Sequence, residues 1–243
     1  MSAKKLHLPA ALGVLFALSA CNIDHPTGPL RTDVKDVKLG DAKSVHVEIK
    51  MGTGEIKVGG GATNLLDAQF TYNVPEWKPQ VDYSVSGTEG RLSIRQPEGT
   101  GGSSGNVQYN WDLRLSGGVP MSMDVQMGAG RAELTLGKLS LTDLDVKMGA
   151  GETVVDLTGD WKHDLTAQIK GGVGKATVRL PRDVGVRVSA AGGIGAINAR
   201  DFKKEHGVYV NDAYGKSPVT LHVDVKGGVG EINLELAEAP PVV

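Results

Sequence analysis

Histidines and carboxylates are the first candidates for chemistry in this chain of 243 residues, which holds six histidines. His163 lies in a predicted turn between Asp160 and Asp164, where an imidazole and two carboxylates could bind a metal ion or activate water. Neighbouring loop residues of this kind are mostly just hydrated, and spacing alone pairs no nucleophile with a base. We therefore expect no catalytic residues, no metal and no cofactor, with an enzyme of unknown type as an alternative.

A four-residue motif that ends in Gly-x-Gly, which we call the glycine phrase, occurs six times and suggests three kinds of binding site. It is spelled MGTG, MGAG (twice), GGVG (twice) and GGIG. A phosphate loop would need Gly in place of Ile169 and Ser or Thr in place of Ala176. A calcium-binding β-roll would need Asp in place of Ala176, Ile197 and Ile232. A dinucleotide site would need a helix after the glycines, and no helical pattern follows them. We therefore assign the glycines to structure.

The spacing of the phrases indicates a stacked repeat. The four middle copies lie 21, 23 and 21 residues apart, a period typical of solenoids. Apolar and polar residues alternate on both sides of each phrase, as in Val45 to Ile49, which is the pattern of a strand with one buried face. The predicted fold is all-β, a stacked β-solenoid with two strands and two bends per coil. The predicted structural turns are Gly52, Gly54, Gly128, Gly130, Gly149, Gly151, Gly172, Gly174, Gly193, Gly195, Gly228 and Gly230.

The residues around the glycines suggest how the bends are filled. Methionine precedes the first glycine in the first three copies, and glycine replaces it in the last three. The residue between the glycines is small in the first three copies, whereas it is Val173, Ile194 and Val229 in the last three. The exchange would keep the volume constant if both side chains filled one corner of the core. We therefore predict that Val173, Ile194 and Val229 point inward.

Charged side chains form two predicted rows on the outside of the stack. Two residues before each phrase's first invariant glycine stand Lys50, Gln126, Lys147, Lys170, Ala191 and Lys226. Four residues before it stand Glu48, Asp124, Asp145, Gln168, Ser189 and Asp224. Adjacent basic and acidic rows would partly neutralise each other and keep the sheets from associating. A glycan-binding face is the alternative.

The N-terminal residues have the pattern of an export signal. Two lysines precede the apolar run Leu8 to Leu18, which is too short to span a bilayer. The sequence Leu18-Ser19-Ala20-Cys21 is similar to the lipobox of bacterial lipoproteins. This resemblance implies a signal peptide at residues 1–20 and lipidation of Cys21. Several acyl chains would then make a membrane the stable partner of the protein.

The expected location is the cell envelope, on the outside of the cytoplasmic membrane. Cys21 is the only cysteine, so no internal disulfide can form. With Asn22 after the cysteine, the resemblance to lipoproteins further implies the outer membrane, on its periplasmic or surface side, if the host is Gram-negative. Loss of the two N-terminal lysines changes the formal net charge from −2 to −4. A mildly acidic protein lacks the basic patch that phosphates require, so we expect no nucleic-acid partner.

Seven segments outside the glycine phrases carry a family resemblance. They are Gly61–Leu66, Phe70–Pro79, Arg91–Gln96, Asn110–Leu113, Gly118–Pro120, Leu180–Val186 and Val208–Gly215. These segments resemble the toast-rack family, DUF2154, which includes the extracytoplasmic domain of LiaF-type cell-wall-antibiotic-response proteins. The glycine phrases are also similar to those of adhesin-type β-solenoids. The resemblance implies a stacked β architecture and an envelope setting. LiaF-type proteins carry transmembrane helices and restrain a kinase, and this chain lacks such apolar runs, so kinase regulation is not inferred.

The chain divides into five predicted parts. They are the signal peptide 1–20, the lipidated cysteine and flexible tether 21–42, the toast-rack-like part 43–119, the solenoid repeats 120–238 and the tail 239–243. The tether is predicted because Pro26, Gly28 and Pro29 interrupt a stretch without a clear apolar period.

Two irregular regions hold most of the aromatic residues and are the candidate binding surfaces. One is the aromatic-rich region before the middle copies, and the other is the insertion Asp201 to Lys216. Their candidate residues are Trp77, Trp111, Phe202, Tyr209 and Tyr214. Insertions and aromatic residues often mark binding sites in solenoids, but they also cap the ends of the stack, and both functions stay open.

These observations predict an exported, lipid-anchored and non-catalytic envelope protein that acts in binding, adhesion or envelope-stress sensing. Its expected partner, besides the membrane, is an envelope protein or a glycan. A structural scaffold with a protein partner is the alternative.

Overall fold

The computed structural model describes residues 25–98, 103–104 and 106–238, and strands dominate it. The strands are β1 His25–Pro26, β2 Arg31–Val37, β3 Ser44–Gly60, β4 Leu66–Tyr72, β5 Gln80–Ser86, β6 Glu89–Arg95, β7 Ser103–Ser104, β8 Tyr109–Leu115, β9 Met121–Thr135, β10 Leu141–Asp156, β11 Leu165–Leu180, β12 Gly185–Asn198, β13 Lys203–Glu205, β14 Val208–Val210 and β15 Thr220–Leu236. One short 3-10 helix, Pro75–Trp77, lies among the described residues. The described part of the chain has no helix with the length and hydrophobicity of a membrane span. The predicted signal peptide, Cys21 and the tail 239–243 lie outside the described residues.

Six long parallel strands form the stack, in the spatial order β3, β9, β10, β11, β15 and β12. Equivalent positions of neighbouring coils lie side by side, for example Val47 beside Met123 and Val146 beside Ile169. Because alternate residues of every coil face inward, these rows of apolar side chains build one continuous core. The predicted all-β solenoid is thus confirmed. Each coil, however, is one long strand bent at its glycine phrase, where two separate strands were predicted.

Glycine backbones lie directly against each other at the bends. A Cβ atom on Gly172 would lie 2.2 Å from the carbonyl oxygen of Gly149 in the neighbouring coil. Gly174 has a φ of +135°, which side-chain-bearing residues rarely adopt. This close approach and this backbone angle explain why the bends need glycine. The last glycine of each phrase has a φ between +125° and +142°: Gly54, Gly130, Gly151, Gly174, Gly195 and Gly230.

The prediction that the residues between the glycines point inward is wrong. Val173, Ile194 and Val229 are 57%, 73% and 48% exposed. The positive φ of the following glycine breaks the alternation, so the middle residue lies on the outside of the bend. Each long strand thus has two arms, one before and one after its glycine phrase. The exposed stretch at the bend ends at the first inward residue of the second arm, which is Ala176 in β11 and Ile232 in β15.

The exchange of volume occurs between other positions, namely the two inward residues that flank the bend. In β10 the large Met148 is followed five residues later by the small Thr153. In β15 the order is reversed, because a Cβ atom on Gly227 would lie 3.3 Å from the Cδ1 of Ile232. In β9, β10, β12 and β15 a large residue on one arm thus compensates for a small one on the other. β3 instead has large residues on both arms, Met51 and Ile56.

The order of the coils differs from the order of the chain, because β15 lies between β11 and β12. Leu221 pairs with Leu165 on one side and with Val186 on the other. After β12 the chain forms the hairpin β13–β14, and only Arg187 and Val188 of β12 pair with it. β12 is therefore the last long coil of the stack.

At the other end, the first coil β3 is extended along two branches. β6 and β5 continue the arm Ser44–Lys50, and β8, β4 and β2 continue the arm Glu55–Gly60. β2 lies within the predicted flexible tether, so that prediction is wrong for Arg31–Val37, which pairs with β4 over its whole length. Five of its seven residues are exposed. An edge strand that is attached by backbone hydrogen bonds needs no alternation of apolar and polar residues. The sequence pattern therefore did not reveal β2.

Candidate functional site

The aromatic residues at the β2 end are buried and cap the stack, so they do not form a binding surface. Trp77 and Trp111 are 2% and 1% exposed, so the prediction that they belong to a binding surface is wrong. Both pack edge-to-face against Tyr109, with ring centres 5.3 and 5.6 Å away. The Tyr109 hydroxyl donates a 2.7 Å hydrogen bond to the carbonyl oxygen of Trp77, and burial raises the pKa of this tyrosine. The alternation of β8, in which Tyr109, Trp111 and Leu113 face inward, was the signal in the sequence for this burial.

The insertion after β12 covers part of the other end. Phe202 and Tyr209 are half-buried against the core, while Tyr214 is exposed in a turn. The Lys204 ammonium lies 5.2 Å from the centre of the Tyr209 ring. The structure therefore gives Phe202 and Tyr209 a packing role.

A buried asparagine holds this insertion in place. The Asn211 amide donates to the carbonyl oxygen of Val184 at 2.7 Å, and its side-chain oxygen accepts from the N–H of Val186 at 3.0 Å. The sequence reasoning missed Asn211, because nothing in a loop sequence distinguishes a buried asparagine from a hydrated one. Its bonds fix the hairpin relative to the start of β12.

A serine, a histidine and an aspartate meet on the outer face of the stack. Nδ1 of His46 lies 2.9 Å from Oγ of Ser122, and its Nε2 lies 3.4 Å from Oδ2 of Asp124. The sequence reasoning missed this trio, although alignment of the copies places His46 beside Ser122. The surrounding backbone N–H groups belong to paired central strands, so none is free to stabilise the oxyanion that a serine nucleophile would create. The trio is thus a hydrogen-bonded surface ladder.

His163 has ordinary polar contacts. Its Nε2 lies 3.3 Å from Oγ of Ser140, and its Nδ1 lies 3.2 Å from the carbonyl oxygen of Asp164. Across residues 25–98, 103–104 and 106–238, no three His, Cys, Asp or Glu side chains are grouped to hold a metal ion.

An apolar cavity of about 80 Å³ lies at the bend of the last four coils. β11 has a small residue on both arms of its bend, Gly171 and Ala176, so neither arm fills the corner. A Cβ atom on Gly171 would meet nothing within 4 Å. Three exposed side chains lie side by side along this cavity, and we call them the aliphatic row: Val173, Val229 and Ile194.

β12 has an unpaired edge next to the aliphatic row. Beyond Val188, no described strand pairs with the outer side of β12, which leaves Ser189–Asn198 open. This segment reads SAAGGIGAIN and has no charged residue. Unpaired edges expose free N–H and C=O groups, and proteins commonly protect them with charges, proline or bulges. We call this edge, with the aliphatic row and the cavity, the open end.

The open end lies far from the strand at which the chain enters the fold. β12 and β2 stand at opposite ends of the stack and its extension, with seven strands between them. At about 4.8 Å per strand, they are roughly 40 Å apart along the sheet. The candidate functional site is the open end, because it combines exposed apolar side chains with unsatisfied backbone groups.

Comparison with known proteins supports the fold assignment. The family profile described as the N-terminal domain of toast_rack, DUF2154, matches residues 26–179. The solved structure of a proposed cell adhesion protein from Clostridium sporogenes is 33% identical, with a TM-score of 0.83, and the match covers 86% of this chain and 100% of that one.

Two other solved structures are more distant. A proposed adhesin from Bacteroides fragilis is 14% identical with a TM-score of 0.33, over 86% of this chain and 98% of its own. A proposed lipid-binding protein from Parabacteroides distasonis is 10% identical with a TM-score of 0.28, over the same shares of 86% and 98%. These scores are too low to support a functional argument. No curated protein matches the chain in sequence.

Proposed function

Because the chain belongs to the toast-rack family, DUF2154, we propose that it is an exported, lipid-anchored and non-catalytic protein of the cell envelope that binds its partner through the open end. The observation that carries this proposal is the open end itself, an unpaired and uncharged strand edge at the far side of the stack from β2. Similarity to a proposed cell adhesion protein supports a binding role in the envelope.

Lipidation of Cys21 would attach the protein at its β2 end. Cys21 precedes Arg31, the first residue of β2, by ten residues, and a linker of this length spans at most about 35 Å. The open end would then face away from the anchoring membrane, where it can meet a partner. A partner could add a strand to the edge of β12 by main-chain hydrogen bonds, while its apolar side chains contact the aliphatic row.

A scaffold role and a sensing role would use the same surface and differ in the partner. The non-catalytic assignment is supported by the Ser122 trio, which lacks an oxyanion donor, and by the apolar character of the open end.

Lipidation is tested by growing cells with an alkyne-labelled fatty acid. The wild-type chain should carry the label, and Cys21→Ala should not, because that variant has no thiol to acylate. Label of equal intensity on the Cys21→Ala variant would contradict the anchor.

Binding is tested with envelopes isolated from cells that carry this protein, so that copies of the chain and the other envelope components are both present. Ile194→Asp should weaken binding of the full chain by at least about tenfold, because it places a charge in an apolar contact. Val34→Asp is the matched control, since Val34 is 77% exposed on β2 at the other end. Equal binding by wild type and Ile194→Asp would refute the assignment of the open end.

A further inference from the structure

We propose that the open end binds the open end of a second copy of this chain, edge to edge through β12. This inference rests on the proposed function, because it names the partner of the surface to which binding is assigned. The arguments come from the shape, the charge and the exposed side chains of β12.

The shape of β12 allows it to pair with its own copy. The open edge has three residues before the bend, 189–191, and three after it, 196–198. A two-fold axis through the bend Gly192–Gly195 places the arm before the bend in one copy beside the arm after the bend in the other. The two strands then run antiparallel and the two bends coincide. A foreign strand would need a matching bend at the same place.

The hairpin limits the pairing without obstructing it. β14 and the following Asn211 occupy the edge of β12 at Val186–Val188. The strand of the second copy ends at Asn198, so its pairing stops where the hairpin begins. The open edge is therefore about as long as the strand that would cover it.

Charge distinguishes β12 from the coil beside it. At the positions where β15 has Asp224, Lys226 and Glu231, β12 has Ser189, Ala191 and Ala196. Two identical edges that carried like charges near their two-fold axis would repel each other. Among the six coils, the last one has lost the charges from both outer rows, and that coil is also the one whose edge stays open. This loss removes the usual protection against edge-to-edge pairing.

The apolar side chains would be covered by the same pairing. Ile194 lies in the bend, close to the two-fold axis, and it is 73% exposed in the single copy. Two copies would bring both Ile194 side chains together and join their aliphatic rows into one. The half-buried Ala190 and Ile197 at the end of the core would also lose contact with water.

Cysteine cross-linking of the full chain in detergent, where two copies can meet in any orientation, tests this inference. Ile194→Cys should form a disulfide-linked dimer under mild oxidation, because residues near the axis come within disulfide distance. Val173→Cys is the matched control, since Val173 belongs to the same row and is also exposed but lies two coils from the edge. We expect at least about tenfold less dimer from this control, and equal amounts of dimer would overturn the inference.

A second substitution tests the role of the uncharged edge. Ala191→Lys, added to Ile194→Cys, should reduce the dimer by about tenfold or more because it places like charges near the axis. Val34→Lys, added in the same way, should leave the dimer unchanged. Thermal unfolding would show that Ala191→Lys is folded, as expected for an exposed residue. A dimer unaffected by Ala191→Lys would overturn the inference.

The two proposals fail in different ways. If Ile194→Cys stays monomeric while Ile194→Asp still abolishes binding to envelopes without this protein, the partner is a foreign molecule, and only the self-pairing is refuted. If wild type and Ile194→Asp bind equally to envelopes that carry this protein, the binding function of the open end is refuted as well.

Discussion

Gly171 and Gly174 stand three residues apart in one phrase, yet the structure places different demands on them. Gly174 has a φ of +135°, and a Cβ atom there would lie 1.9 Å from the carbonyl oxygen of Gly151. Gly171 faces the cavity, where a Cβ atom meets nothing within 4 Å. The phrase therefore combines an obligatory glycine with one that is compatible with a side chain.

This difference predicts opposite results for two alanine substitutions. Gly174→Ala should lower the free energy of unfolding by roughly 2 kcal/mol or more, through strain and steric overlap. Gly171→Ala should leave it unchanged or raise it by up to about 1 kcal/mol, because it restricts the unfolded chain without strain. Denaturant unfolding of both variants checks the prediction, and similar losses of stability would contradict it.

The cavity of β11 should respond to filling. Ala176→Ile restores the large residue that Ile232 supplies in the neighbouring coil, so we expect a gain of about 1–2 kcal/mol in the free energy of unfolding, given the cavity of about 80 Å³. Ala132→Ile is the control, because Met127 already fills the corner of β9 and Ala132 lies beside the large Ile56 of β3. It should lose about 1–3 kcal/mol through overpacking. Thermal or denaturant unfolding checks both values, and a stabilised Ala132→Ile variant would refute the compensation between the arms.

At the residue scale, the sequence located the bends, but the inward direction predicted from it for their middle residues was wrong. Alternation predicts direction only while the backbone stays extended, and the positive φ of the next glycine interrupts it at Val173. The burial of Trp111 was contained in the alternation of β8. Trp77 follows no strand pattern, so only its tertiary contacts reveal that it is buried.

At the scale of elements, β2 is attached by its backbone and by a small polar cluster. Oδ2 of Asp33 accepts a 3.0 Å hydrogen bond from the Tyr72 hydroxyl and lies 3.1 Å from the Lys78 ammonium. The hydrogen bond from Lys78, followed by that from Tyr72, holds the pKa of Asp33 below its ordinary value of 3.8. Because the pKa of Asp33 is lower in the folded state than in the unfolded state, its ionised carboxylate stabilises the fold at pH values above the unfolded-state pKa. This stabilisation is lost as the pH falls through the folded-state pKa.

The attachment of β2 should therefore weaken in acid. Hydrogen exchange of Arg31–Val37 should quicken as the pH drops below about 3.8, after correction for the intrinsic rate of exchange. Asp33→Asn should show faster exchange already at neutral pH and a smaller change in acid. Asp36→Asn, an exposed position on the same strand, is the control. If Asp33→Asn and wild type shared one pH profile, the role of Asp33 would be disproved.

The sequence predicted coils but could not predict their order. All coils share one pattern, so each of them fits beside any other. The spacing of 35 residues between Gly193 and Gly228 showed that the chain leaves the stack after β12. It did not show that the chain returns between β11 and β12. For the same reason, the missing charges at Ser189 and Ala191 had no meaning until the structure placed β12 at the end.

At the scale of the whole molecule, self-pairing would separate the two proposed lipid anchors. Each β2 lies roughly 40 Å from its own β12, so two paired copies hold their β2 ends roughly 80 Å apart and on opposite sides. Two copies anchored in facing membranes could pair in this way. The geometry therefore connects edge pairing with adhesion between surfaces.

Vesicles that carry the lipidated full chain should consequently cluster. Light scattering should rise with time for wild type and for Val34→Asp, and it should stay low for Ile194→Asp. Clustering of Ile194→Asp vesicles at the wild-type rate would contradict contact between facing membranes through the open end.

The most direct test of the central claim is hydrogen exchange at β12 itself, measured on the full chain in detergent at several protein concentrations. In the dilute protein, Ser189–Asn198 should exchange far faster than the paired segment Asp224–Glu231 of β15, because about half of its amides have no partner. At high concentration its exchange should slow by about tenfold or more, while β15 stays unchanged. If β12 is as protected as β15 at every concentration, the edge is not open and the account is wrong.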